Sequence, residues 1–359
     1  MMEQALGLAR KAEGRTSPNP LVGAVIVADG VVVGHGYHVK AGEPHAEIVA
    51  LNDAGRRAQG STLYVTLEPC AHVGRTGPCT ESLIAAGVRR VVVAMVDPDA
   101  KVNGKGIARL REVGVEVEVG LLETQARRLN EFYVKHRMTG LPFVTLKWAM
   151  SLDGKIAADR RSATAITGES ARRFAHELRN VYDVVLVGVQ TVLADDPQLT
   201  CRIPGGRNPL RVILDSRLRI HVAARVATDT VSAKTLIVTT RAASSERVAR
   251  LRRAGVDVLV QEHDEGRVRL RPLLQELGRR GLLSVLIEGG GTVNASALAE
   301  GIVDKVIALI APGLIGGAHA PTAVEGEGLT HISGPVRLRD VSVIQGLGDD
   351  IAIQGYVST

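Results

Sequence analysis

Four residues early in the chain have the types and spacing for metal chemistry: His45 and Glu47, two apart, and Cys70 and Cys79, each preceded by a proline. One imidazole and two thiolates make three protein ligands for Zn²⁺. The fourth tetrahedral position is then open to water, which marks a catalytic rather than a structural site. Zinc lowers the pKa of bound water to about 7 in favourable sites, so a nucleophile becomes available near neutral pH if a proton acceptor stands beside it. Glu47 shares the first turn of a helix with His45 and reaches that water without being a ligand. Cys79 opens another predicted helix, where the helix dipole favours a thiolate and eases deprotonation for the metal. Any one of these residues alone reads as a core histidine, a solvated glutamate or a buried thiol. The four in this order, with both prolines, do not.

A second constellation lies far along the chain. Glu288-Gly289-Gly290-Gly291-Thr292 follows a predicted strand at 284–287 and precedes a predicted helix at 294–300. Consecutive glycines at such a junction let backbone N–H groups approach phosphate oxygens at the positive end of the helix. The run is not Gly-x-Gly-x-x-Gly, so it does not indicate an ordinary Rossmann domain. Cys201 has no partner motif and reads as structural.

The elements that must position these residues alternate between apolar runs and helix-period segments, which places the chain in the α/β class. Strands are expected at 21–28 and 31–36, joined by the hairpin signal Asp29-Gly30. A helix is expected at 44–52, with Pro44 in its first turn. Then come a strand at 62–67, a helix at 79–86 closed by Gly87, a strand at 90–96, a helix at 106–112 and a short strand at 115–119. The stretch 123–137 reads as one polar-faced helix, and Thr139-Gly140-Leu141-Pro142 breaks the pattern. A second domain is expected to restart with a strand at 143–149. Further strands follow at 184–188, 210–215, 235–239 and 284–287, with helices at 170–179, 245–253 and 271–279. Such alternation implies a mostly parallel sheet covered on both faces.

Composition narrows the function. At 359 residues the chain calls for two cores, and 45% hydrophobic with 23% charged residues excludes a disordered or collagen-like polymer. The longest apolar runs are far short of the roughly 20 residues of a membrane span, and residues 1–10 are too polar for a signal core, so a cytoplasmic protein with no membrane partner is expected. Three cysteines cannot build a disulfide framework and suit a reducing compartment. Forty-four basic against 38 acidic residues leaves +6, which suits nucleic acid, a membrane surface or a phosphorylated small molecule. With Trp 1, Tyr 5 and Phe 3 there are few platforms on which unpaired bases could stack, which favours a small anionic substrate over nucleic acid.

The order His-x-Glu, Pro-Cys, Cys is that of zinc nucleobase deaminases, except that eight residues rather than two separate the cysteines. On these residues the chain resembles a known family, the bacterial bifunctional riboflavin-biosynthesis proteins, in which a pyrimidine deaminase is fused to a reductase. The resemblance is carried by Ser17-Pro18-Asn19-Pro20-Leu21-Val22-Gly23-Ala24-Val25, by His45-Ala46-Glu47 and by the long loop Glu68-Pro69-Cys70-Ala71-His72-Val73-Gly74-Arg75-Thr76-Gly77-Pro78-Cys79. In the second half it is carried by Lys147-Trp148-Ala149-Met150-Ser151-Leu152-Asp153-Gly154-Lys155 and by Thr191-Val192-Leu193-Ala194-Asp195-Asp196-Pro197-Gln198-Leu199-Thr200.

The resemblance implies an N-terminal cytidine-deaminase-like α/β/α domain over residues 1–141 and a C-terminal dihydrofolate-reductase-like α/β domain over 142–359. It also implies one Zn²⁺, NADPH, a phosphorylated pyrimidine substrate and a homo-oligomer. Asn19, His72, Arg75, Thr76, Asp97 and Asn103 would then line the deaminase substrate site. Ala149, Thr191, Asp195, Ser216, Gly290, Gly291, Thr292, Val293, Asn294, Ala295 and Ser296 would contact the nicotinamide cofactor. Lys147, Arg179, Leu199, Arg202 and Glu288 would contact the reductase substrate, the two arginines suiting its phosphate. Where the family has a Ser-x-Trp-Ile-Thr pattern, this chain has Ala163-Thr164-Ala165-Ile166-Thr167, which removes an aromatic wall and a hydroxyl; Ser162 stands one residue away. A tRNA or DNA base deaminase with an appended binding domain fits the zinc motif but not the long cysteine loop, the scarce aromatics or the second-half motifs. Glu47 beside an open metal position argues against a non-catalytic zinc-stabilised sensor.

Overall fold

The computed structural model describes residues 1–71, 77–160, 165–261, 266–326, 328 and 335–358. The chain divides into two compact units, Met1–Leu141 and Pro142–Thr359. The first unit contains α1 (Met2–Arg10), β1 (Gly23–Ala28), β2 (Val31–Tyr37), α2 (Ala46–Ala54), β3 (Thr62–Val65), α3 (Cys79–Ala85), β4 (Arg90–Val93), α4 (Lys105–Glu112), β5 (Glu116–Val119), α5 (Glu123–Leu129) and α6 (Glu131–Thr139). Its sheet runs in the order β2-β1-β3-β4-β5, antiparallel across β2-β1-β3 and parallel across β3-β4-β5. Asp29 and Gly30 take φ 49° and 76°, the two positive angles that a tight two-residue hairpin turn requires.

Alternate strand residues feed two cores. Ile26, Leu63, Val65 and Val91 pack with Ala46 and Ala50 of α2, Leu83 of α3 and Leu110 of α4. Val25 and Val92 pack instead with Met2, Ala5 and Leu6 of α1 and Ala126 of α5. The period-2 alternation of the strands thus produces helices on both sides of one sheet. Helix α2 comes unusually close to β2 because Ala46, Ala50 and Ala54 recur every four residues opposite Gly34 and Gly36. A Cβ on Gly36 would stand 2.7 Å from both Ala46 O and Ala50 N. This small-on-small contact fixes the helix N-terminus, where His45 is the N-cap with φ −69° and ψ 159°. Pro44 therefore lies outside the first turn in which the sequence places it, and its carbonyl accepts from His38 Nδ1 at 3.1 Å.

The single helix expected over 123–137 is two helices. Asn130 breaks it: its buried side chain accepts from Leu21 N at 2.8 Å and donates to Leu21 O at 2.9 Å. These two bonds tie the break to the strap that carries Asn19, and tertiary pairing overrides helix periodicity.

The second unit contains β6 (Phe143–Ser151), α7 (Glu169–Val181), β7 (Val184–Gly188), α8 (Val189–Asp195), β8 (Leu210–Leu214), α9 (Arg225–Thr228), β9 (Thr235–Thr240), α10 (Ser245–Arg253), β10 (Asp257–Gln261), α11 (Leu270–Arg279), β11 (Ser284–Ile287), α12 (Gly291–Ala299), β12 (Lys305–Ala311), β13 (Leu338–Ile344) and β14 (Ile351–Val357). They form a nine-stranded sheet in the order β10-β9-β8-β7-β11-β6-β12-β14-β13. Every neighbouring pair from β10 to β12 is parallel, and the two pairs involving β14 are antiparallel. One core gathers Val185, Val187, Ile213 and Ile237 with Val248 and Leu251 of α10. Another gathers Ile307 and Leu309 with Ala171 of α7. Helix α12 begins three residues earlier than the sequence suggests, with Gly290 as its N-cap. Glycine propensity argues against a helix there, but Thr322 and Glu325 crowd Gly291 so closely that a Cβ would collide with them. No helix among the described residues is long and apolar enough to cross a membrane.

Candidate functional site

In the first unit, the N-terminus of α2, the loop after β3 and the N-terminus of α3 bring three metal-binding side chains together. The ligand atoms of His45, Cys70 and Cys79 lie within 4.8 Å of one another. His45 Nδ1 is 3.2 Å from Cys79 Sγ and 3.6 Å from Cys70 Sγ. A tetrahedral zinc with ordinary Zn–N and Zn–S lengths sets its nitrogen and sulfur about 3.5 Å apart, so this donor set fits the ion. The Cys79 backbone N–H donates to Cys70 Sγ at 3.4 Å. The hydrogen bond between the two sulfurs pulls the Cys70 thiol well below its usual range and, with burial, pushes the Cys79 thiol up, so the pair readily loses its first proton. Glu47, 3% exposed, lines the same cleft of about 190 Å³ as His45 and Cys70, and burial pushes its carboxyl up to about 7.

The cleft is completed by groups held from behind. Asn19 Nδ2 donates to His38 Nε2 at 3.0 Å, and His38 Nδ1 in turn donates to Pro44 O. Together the two bonds fix a neutral His38, consistent with burial lowering its pKa, and they fix which end of the Asn19 amide faces His38. Asp97 accepts from Tyr133 Oη at 3.1 and 3.3 Å. Burial is the main cause that raises its carboxyl. Arg137 lines the cleft 3.5 Å from Asp99. The sequence points to Asn19 and Asp97 but not to His38, Tyr133 or Arg137. Asn103 is exposed and does not line the cleft, its N–H donating to Asp99 O at 3.0 Å. His72, Arg75 and Thr76 lie outside the described residues.

Glu68 organises the far wall. One carboxylate oxygen accepts from Asp97 N at 3.1 Å and Gly104 N at 2.9 Å, the other from Gly106 N at 2.9 Å and Ile107 N at 3.3 Å. A single buried side chain thus gathers the 97–107 segment and caps α4. In Glu68→Gln an amide NH₂ must face two N–H donors. We expect a loss of about 3 kcal/mol in denaturant titrations, and faster hydrogen exchange across 97–107 as the local check.

The second unit holds two groupings. Glu288, whose side chain is 7% exposed, accepts a fork from Arg179, with Nε at 2.7 Å and Nη2 at 2.8 Å, and contacts Lys147 Nζ at 3.4 Å. Burial pushes its carboxyl up, but the charges of Arg179 and then Lys147 outweigh burial and hold it at about 2. Arg179 Nη1 also donates to Thr200 O at 3.2 Å. Arg202 is exposed, and its Nε donates to His176 Nε2 at 3.1 Å; His176 Nδ1 donates to Thr200 O at 3.2 Å. His176 is a residue that the sequence did not flag. Leu199 is buried with φ 54°. Cys201 Sγ donates to His176 O at 3.4 Å.

A separate cleft of about 200 Å³ lies at the start of α12, lined by Thr191, Asp195, Gly290, Gly291, Thr292 and Val293 together with Gly188, Arg160 and Glu325. The N-cap of α12 is Gly290, which has no side chain to cap the helix. At Gly290 a Cβ would find only the Thr191 hydroxyl, at 3.9 Å, so the turn leaves open space beside a helix start, and this fits a dinucleotide phosphate. Ala149, Ser216, Asn294, Ala295 and Ser296 do not line it. Ser216 Oγ accepts from Val268 N at 3.2 Å, and buried Asn294 donates to Ala323 O at 2.8 Å. Ala165 is exposed; Ser162, Ala163 and Thr164 lie outside the described residues.

Comparison with known proteins bears on both units. Residues 1–95 match the cytidine and deoxycytidylate deaminase zinc-binding region, and residues 142–353 match the RibD C-terminal domain. The riboflavin biosynthesis protein RibD of Aquifex aeolicus (strain VF5) is 42% identical over 353 residues, covering 98% of this chain and 96% of that one. Its counterpart from Synechocystis is 45% identical over 361 residues, covering 99% and 95%. Among solved structures, Acinetobacter baumannii RibD (form 1) aligns with a TM-score of 0.89 at 39% identity, covering 100% of this chain and 98% of that one. The Thermotoga maritima diaminohydroxyphosphoribosylaminopyrimidine deaminase/5-amino-6-(5-phosphoribosylamino)uracil reductase aligns with a TM-score of 0.84 at 34% identity, covering 99% and 97%.

Proposed function

Because the chain belongs to the RibD family, which joins a zinc-binding deaminase to a reductase in riboflavin biosynthesis, we propose which of its residues carry each half-reaction and on what substrate. The substrate of the first unit is 2,5-diamino-6-(5-phosphoribosylamino)pyrimidin-4-one, deaminated at C2 with the 5-amine retained. His45, Cys70 and Cys79 hold the zinc. When bound, zinc supplies the positive charge that acidifies a water molecule. Glu47 accepts that proton and passes it to the neighbouring ring nitrogen; it then takes the proton of the hydroxyl now on the ring carbon, which becomes a carbonyl, and passes it to the departing ammonia. Asn19, braced by His38, and Asp97, braced by Tyr133, orient the pyrimidine edge. The observation that carries this reading is the His45–Cys70–Cys79 triangle with a buried Glu47 on the same cleft.

The second unit converts the ribosyl group to ribityl. When bound, NADPH supplies the hydride for the sugar carbon attached to the pyrimidine amine once the ring opens. The glycine turn and Thr191, Asp195 and Thr292 would hold that cofactor. Lys147, Arg179 and Glu288 form one preorganised cluster for the sugar. Arg179 is already committed to Glu288, which leaves Arg202, aimed by His176, as the freer cation for the substrate phosphate.

Incubation with the phosphoribosylaminopyrimidine, following ammonia release and NADPH oxidation separately, tests the whole reading. Ammonia without oxidation would confine it to the first unit. Stripping zinc with a chelator is expected to lower ammonia release at least about 100-fold, reversibly on adding Zn²⁺. Oxidation of NADPH with the deaminated substrate should stay within about twofold, because the groups assigned to reduction are not zinc ligands.

A further inference from the structure

The cleft at the start of α12 already contains a negative charge. Glu325 N–H donates to Gly291 O at 3.1 Å, Thr292 Oγ1 donates to a Glu325 carboxylate oxygen at 3.3 Å, and the side chain packs against the bare Cα of Gly291. Arg160, 59% exposed where the Glu325 side chain is 14% exposed, donates to both oxygens, from Nη2 at 2.6 Å and Nη1 at 3.1 Å. Both residues line the cleft. A carboxylate thus sits where a helix start favours an anion, and a guanidinium forks onto it in the geometry it would use for a phosphate.

We propose that Arg160 is a further cofactor-binding residue held in reserve: Glu325 occupies its fork in the resting protein, and a nicotinamide dinucleotide phosphate replaces the carboxylate. The proposal rests on the NADPH reading of this cleft. An ion pair with one largely exposed partner is weakly held, so exchange of one anion for another is cheap. Glu325 raises the threshold for binding by competing for the same donors, and Arg160 supplies the charge that makes the exchange favourable.

Calorimetric titration of NADPH into the wild-type chain, Glu325→Gln, Arg160→Gln and the double variant tests this without turnover. Reduced nicotinamide riboside serves as the phosphate-free probe. Glu325→Gln should bind NADPH about threefold to fivefold more tightly, since the competing pair is gone. Arg160→Gln should bind at least about tenfold more weakly, since a charge-assisted bond is lost. The riboside should respond to neither. If the pair is only a structural strut, both single variants shift in the same direction or not at all, or shift the riboside equally, and the exchange role is overturned. If the wild-type chain binds no NADPH, the cofactor reading of the cleft fails and takes the proposal with it.

Discussion

Replacing Glu47 by glutamine is expected to lower ammonia release by about 10³-fold or more, while the chain still carries one zinc. The two side chains have the same shape, so the cleft and the packing of α2 on β2 are preserved. The triangle of His45, Cys70 and Cys79 does not include Glu47, so metal content measured by emission spectroscopy should not change. What disappears is the proton acceptor: a carboxamide cannot take a proton from water and return it to the ring nitrogen and the leaving ammonia. Reduction of the pre-deaminated substrate should be unaffected, because Glu47 lies outside the groups assigned to that step. Near-normal ammonia release with zinc in place would remove Glu47 from its assigned role.

The parts of this site legible in the sequence are those whose chemistry demands rare residues at short range. His45 and Glu47 share one helical turn, and each cysteine follows a proline, so type and spacing alone point to a metal and an acid–base partner. The parts that were not legible act over long separations through common residues. His38 lies beyond the strand expected at 31–36 and belongs to no motif, yet it links Asn19 to Pro44 and so fixes the orientation of a substrate-site amide. Tyr133 is 36 residues from the Asp97 it bonds, and Asn130 is 109 residues from Leu21. No local period encodes such pairs.

The same division holds in the second unit. The expected strand at 184–188 coincides with β7, apolar throughout, but β12 is nearly as buried and is not among the expected strands, and β13 is largely exposed and carries no apolar run. Arg211 sits in β8 and is fully buried, its guanidinium donating to the carbonyls of Gln198, Asp229 and Ala233. A buried cation is tolerable only with such partners, and the partners come from other loops. The glycine turn was recognisable because glycine is visible as a residue. That Gly291 belongs to the helix, and is required by Glu325 and Thr322, depends on a contact no sequence pattern displays.

Arg179→Leu is expected to destabilise the second unit by about 3–5 kcal/mol at neutral pH, the loss typical of breaking a buried ion pair from one side. It should also abolish NADPH-dependent reduction while sparing ammonia release. The forked bonds from Arg179 are the main charge compensation for Glu288, and Lys147 at 3.4 Å is a poorer substitute. The pH dependence separates this from a simple packing loss. In the wild-type chain Glu288 is held near 2, below the ordinary 4.5, so it contributes stability above about pH 4.5 that is lost as pH falls towards 2. That shift corresponds to about 3 kcal/mol, which agrees with the mutational range. Without the guanidinium, burial dominates and raises the carboxyl, so the variant is most penalised at neutral pH and recovers as Glu288 takes up a proton. The stability gap between wild type and variant should therefore narrow steadily on acidification. Urea titrations at a series of pH values can follow it through Trp148, the only tryptophan in the chain and the neighbour of Lys147 on β6. A gap that stays constant with pH would mean that Arg179 stabilises the unit by packing and not by its charge.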